Sequence, residues 1–98
     1  MTVYALAQLT IHDRMLYGRY QSRFMDVLKR HNGRLLAADE SPRVVEGTWE
    51  RDKVVLLSFA DEAAYFAFAG SADYREIARD RTAGAEAVVL LVKGIDAG

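Results

Sequence analysis

The chain of 98 residues contains no cysteine. That excludes disulfides, thiol catalysis and thiolate metal sites, and it is compatible with a reducing cytoplasm, the compartment we expect. Its charges nearly balance, 13 Lys and Arg against 14 Asp and Glu, so no global field recruits nucleic acid. No apolar run approaches the ~20 residues of a membrane span, and no membrane partner is expected. The opening "MTVYALAQLTIHD" has no basic leader and reads as a strand rather than a signal peptide. His12 and His31 form no H-x-H or H-E-x-x-H pattern, and no P-loop, G-x-G-x-x-G or G-x-S-x-G stretch occurs, so neither a metal nor a cofactor is expected. Proline appears once, at Pro42, where the missing amide donor calls for a bulge, a turn or a sheet edge.

What is there is an ordinary globular composition, 51% hydrophobic, expected to form one domain over residues 1–98. Residues 2–11 read as a strand. After Asp13, a plausible N-cap, the period changes: Tyr17, Tyr20, Phe24, Leu28 and His31 fall at helical spacing. Gly33 is expected to supply the left-handed residue that ends this helix. "RLLAADESPRVVEGTWE" (34–50) reads as one long strand or two short ones, "ERDK" (50–53) as a hairpin loop, and "KVVLLSF" (53–59) as the return strand. Asp61 caps a helix that Gly70-Ser71 interrupts. Asp73 and Glu76 offer a capping box for its second segment, and "EAVVLLVKG" (86–94) closes the chain as a strand. The order β-α-β-β-α-β predicts an α+β, ferredoxin-like fold: a four-stranded antiparallel sheet with the helices on one face.

An antiparallel sheet with one wet face alternates apolar and polar residues, and these strands do not. Val3, Ala5, Ala7 and Leu9 oppose Tyr4 and Leu6; Val54 and Leu56 oppose Val55 and Leu57; Val88, Leu90 and Val92 oppose Val89 and Leu91. Whichever set meets the helices, about six large apolar side chains remain, each worth roughly 1.5–3 kcal/mol on burial. The economical cover is a second copy of the sheet, which predicts a homodimer with sheets face to face.

Several of these stretches together resemble the family known as domain of unknown function 1330. They are Asp13, Tyr20, Gly33-Arg34, the run Val45-Glu46-Gly47-Thr48-Trp49, Phe59, Ser71 with Tyr74, Arg81, and Lys93-Gly94. The resemblance spans nearly the whole chain and implies a subunit of a dimeric α/β barrel. It implies no activity. The wider superfamily includes cofactor-free monooxygenases, haem-handling enzymes and lactone isomerases, and if the chain is an enzyme, analogy points to a cofactor-independent monooxygenase or isomerase.

Candidate residues follow from chemistry. Glu46, on the expected strand, is either a general base or clamp on a substrate hydroxyl, or a paired carboxylate fixing the hairpin. Arg81 continues the stripe Tyr74, Ile77, Ala78, where it snorkels, pairs with an acid such as Glu46, or holds a ligand carboxylate. His31 is a second, weaker candidate for a catalytic base, read more simply as a helix-end residue. Trp49, near the expected hairpin tip, is a dimer or ligand contact. Tyr20 and Phe24, with Phe66, line any gap left between sheet and helices, where a small aromatic or carboxylated metabolite fits. The competing reading is a structural or interaction module with a filled interior and no chemistry. The arginines of the first helix raise a nucleic-acid reading, but "KVVLLSF" has aliphatics where RNA-recognition sheets carry stacking aromatics.

Overall fold

The computed structural model describes residues 1–95. Its elements are β1 (Val3–Ile11), α1 (Arg14–Arg30), β2 (Arg34–Asp39), β3 (Lys53–Phe59), α2 (Glu62–Ala69), α3 (Ala72–Gly84) and β4 (Ala85–Lys93). The strands form one sheet in the order β2-β3-β1-β4, every neighbouring pair antiparallel. This is the expected ferredoxin-like arrangement, with the second helix split in two where Gly70 and Ser71 interrupt it.

Local chemistry sets the boundaries. Asp13 caps α1, its carboxylate accepting from the amides of Met15 and Leu16 at 3.0 and 3.1 Å, and Asp61 accepts from Ala64 at 2.8 Å. Two caps differ from expectation. The left-handed residue after α1 is Asn32, at φ 58°, because asparagine tolerates that conformation. Gly33 serves packing instead: a Cβ there would sit 2.7 Å from Cε1 of Phe59. At α3 the cap is Ser71, whose hydroxyl accepts from the Tyr74 amide, and Asp73 falls inside the first turn.

The expected strand over 34–50 is also shorter. β2 stops at Asp39, whose carboxylate accepts from the Ser41 amide at 2.8 Å in a local turn that Pro42 prevents from re-entering the ladder. Residues 40–52 are irregular. Asp52 fixes the far end of this loop to β1, its amide donating to the Leu9 carbonyl at 2.7 Å and its carboxylate accepting from Ile11 at 2.8 Å.

Val3, Ala5 and Leu9 of β1 and Leu57 and Phe59 of β3 are buried beneath the helices, with Leu28 and Ile77 sealing the core from above. α1 and α3 lie side by side. Arg19 pairs with Asp80 at 3.4 Å, Arg23 with Glu76 at 3.7 Å and Arg30 with Asp73 at 2.9 Å. The basic face of α1 is therefore answered by acids of α3. Exposed pairs of this kind contribute roughly 0–1 kcal/mol each, so they set register more than stability.

Among the described residues the opposite face of the sheet carries no helix. Leu6 stands between Leu56 and Leu90 in register, making a row of three leucines. Gln8 lies between Val54 and Val88, and Tyr4 between Ser58 and Val92. Val88, Leu90 and Val92 keep 41%, 47% and 46% of their surface exposed. The 40–52 loop touches this face through Trp49, whose indole donates to the Gln8 amide oxygen at 2.9 Å.

Candidate functional site

Between sheet and helices is a cavity of about 260 Å³. It exists because the inward positions of the sheet include Ala5 and Ala7 on β1, Ala38 on β2 and Ala87 on β4, where longer side chains would meet the helices. Above this floor α1 supplies Tyr17, Tyr20, Gln21 and Phe24, α2 supplies Tyr65 and Phe68, and α3 supplies Tyr74 and Arg81. Positions 17, 20, 21 and 24 follow the helical period, so one stripe of α1 forms much of the roof.

The aromatic groups are ordered by one another. The Tyr20 and Tyr74 hydroxyls are 3.0 Å apart and their rings meet edge to face at 6.2 Å. Phe68 lies 4.5 Å from Tyr74 and 6.2 Å from Phe24. Burial, together with the neighbouring Tyr74, raises the Tyr20 phenol well above its usual range, and burial alone is the leading cause for Tyr17 and Tyr65. These phenols stay neutral near pH 7 and act as hydrogen-bonding groups rather than bases.

The charges in the lining are all of one sign. Among the described residues it contains Lys53 and Arg81 and no Asp, Glu or His. Lys53 is only 5% exposed; its ammonium donates to the Gln21 amide oxygen at 3.3 Å and stands 5.0 Å over the Tyr17 ring. Burial lowers its pKa, with Glu40 opposing and Arg14 reinforcing the shift. Among the described residues neither Lys53 nor Arg81 has a carboxylate within 4.0 Å.

The sequence candidates separate accordingly. Tyr20, Phe24 and Arg81 meet in the cavity. Glu46 lies exposed in the 40–52 loop, on no strand and outside the lining, so Glu46 and Arg81 form no ion pair. Trp49 is on the outer face with Gln8. His31 also lies outside the lining, bonded to Asp73 at 3.2 Å and edge-on to Phe68 at 5.9 Å. Phe66 is 61% exposed, and its neighbours Tyr65 and Phe68 take the place expected for it. The residue missed is Lys53, read as the end of a hairpin loop. Its parity with Val55, Leu57 and Phe59 was the available signal, since alternate strand residues share a face.

Among the described residues no group of three or more His, Asp or Glu is placed to hold a metal, and no helix is long and apolar enough to cross a membrane.

The fold recurs in solved structures. A protein of unknown function from Rhodopseudomonas palustris superposes with a TM-score of 0.82 at 17% identity, over 97% of this chain and 83% of that one. A dimeric ferredoxin-like protein of unknown function from Jannaschia gives 0.71 at 20%, over 96% and 100%. The cofactor-independent oxygenase SnoaB from Streptomyces nogalater gives 0.70 at 11%, over 97% and 94%. At these identities the likeness is one of fold. No curated protein matches the chain. A family model, described as a domain of unknown function (DUF1330), matches residues 2–95.

Proposed function

We propose that this chain, which belongs to the domain of unknown function (DUF1330) family, works as a homodimer whose subunits each bind a small aromatic or carboxylated metabolite between sheet and helices. The cavity of about 260 Å³ carries the reading. Leaving that volume empty in a core this small forfeits dispersion contacts and stability. A binding role explains the loss, and a purely structural module does not. An engineered apolar cavity of about 150 Å³ accepts benzene, so this one suits a single ring with a short substituent.

Support for the dimer is the helix-free face with its three-leucine row, together with the dimeric state of the Jannaschia protein. The resemblance to an oxygenase is one of fold, and among the described residues the lining has no acid or histidine to act as a base. The proposed role therefore stops at binding and orientation. Native mass spectrometry of gently purified protein tests both parts. The expected species is a dimer that carries, or takes up from an added panel of single-ring aromatics, small-molecule mass. A monomer at every concentration overturns the assembly, and a dimer that accepts no member of the panel overturns the binding role.

A further inference from the structure

Resting on that reading, we infer that the ligand is an organic acid: a small aromatic carboxylate whose charge is neutralised by Lys53. An ammonium has three donors, and among the described residues the one Lys53 contact within hydrogen-bonding range is the Gln21 amide oxygen, at a long 3.3 Å. A buried cation supported by one long hydrogen bond and the Tyr17 ring at 5.0 Å gains from an anion that joins it. The nearby acid is already engaged, because Glu40 is bonded to Arg14 at 2.6 Å. Arg81 adds a second cation to the same cavity, and among the described residues its lining holds no counter-charge. A simple inorganic anion would make no use of the cavity-facing surface of Phe24, Tyr65 and Phe68. An aromatic carboxylate uses both halves of the site: its ring rests among those side chains, and its carboxylate meets the ammonium in a charge-assisted bond. The Tyr20 and Tyr74 hydroxyls, 3.0 Å apart, are available to a second polar substituent on the ring.

Calorimetric titration of the unmodified dimer with benzoate, with its neutral isostere benzamide and with toluene tests the assignment without relying on any variant to fold. Benzoate is expected to bind about tenfold to a hundredfold more tightly than benzamide, the range set by a charge-assisted hydrogen bond. Lys53→Met should erase that preference while Lys53→Arg keeps most of it, and thermal melts report whether each variant is folded. Equal affinity for benzoate and benzamide, or an undiminished preference in a folded Lys53→Met, overturns the anionic class and leaves the cavity as a neutral aromatic site. If none of the three probes binds, the binding role falls as well.

Discussion

Leu90→Asp is the sharpest test of the proposed assembly. Leu90 ends the row it shares with Leu6 and Leu56 and keeps 47% of its surface exposed in the single subunit. Full burial of a leucine contributes roughly 1.5–3 kcal/mol, so covering the remaining half is worth about 1 kcal/mol per subunit. Aspartate forfeits this and sets a carboxylate against the partner's apolar face, at a cost of about 2 kcal/mol even when partly relieved by water. Its side chain is too short to reach solvent as a lysine would. A two-fold axis repeats each change, for a total near 6 kcal/mol, or about four decades in Kd. The isolated subunit pays at most about 1 kcal/mol in strand preference. Sedimentation equilibrium over a concentration series should therefore find wild-type dimer and a folded Leu90→Asp monomer with unchanged circular dichroism. A variant that dimerises as tightly as wild type would refute the sheet-to-sheet reasoning.

Other perturbations probe the interior. Ile77→Ala should cost about 2–5 kcal/mol, since Ile77 is 1% exposed, and urea denaturation measures it. Tyr20→Phe removes the hydroxyl that faces Tyr74 and should lower stability by about 0.5–1.5 kcal/mol in the same assay. Arg81→Met should weaken uptake of benzoate in calorimetry while leaving the sedimentation of the dimer unchanged; loss of folded structure would instead make Arg81 a structural residue. The Asp73 carboxyl is held well below its usual value of 3.8 by the neighbouring Ser71 and by hydrogen bonds from His31 and Arg30. Its contribution is thus complete above that value and is lost as pH falls through the lower folded one. Thermal melts should show Asp73→Asn less stable than wild type at neutral pH, with the gap closing as the solution is acidified below about pH 3.8; a gap independent of pH would refute the ionic role.

The fold was legible because it rests on period. Strands with apolar residues at both parities and a helix with aromatics every third or fourth position left little choice of layers, and the surplus apolar face followed by counting. Local competitions were harder to read. The 40–52 loop contains Val44, Val45, Thr48 and Trp49, all good strand formers, yet the Asp39 side chain turns the backbone and Pro42 keeps it out of the ladder. Asn32 and Gly33 are adjacent, and only the approach of Leu28 and Phe59 shows why glycine is needed one place later. The site was half legible. Arg81 and Tyr20 drew attention as polar groups on apolar stripes, but the cavity is defined by what is missing above Ala5, Ala7, Ala38 and Ala87, residues from three separated strands. An absence assembled from distant positions leaves no mark on any short stretch.

The alternation along β1 gives the protein two independent registers of variation. Ala5, Ala7 and Leu9 point toward the cavity, whereas Tyr4, Leu6 and Gln8 point the other way. Side chains on opposite faces of a strand do not touch, so a substitution at position 5, 7 or 9 of β1 resizes the chamber and leaves the outer surface unchanged. A substitution at an even position does the reverse. β4 repeats the scheme with Ala87 and Val89 against Val88 and Leu90. One strand of nine residues can therefore reshape the cavity while keeping its outer face, or reshape its outer face while keeping the cavity.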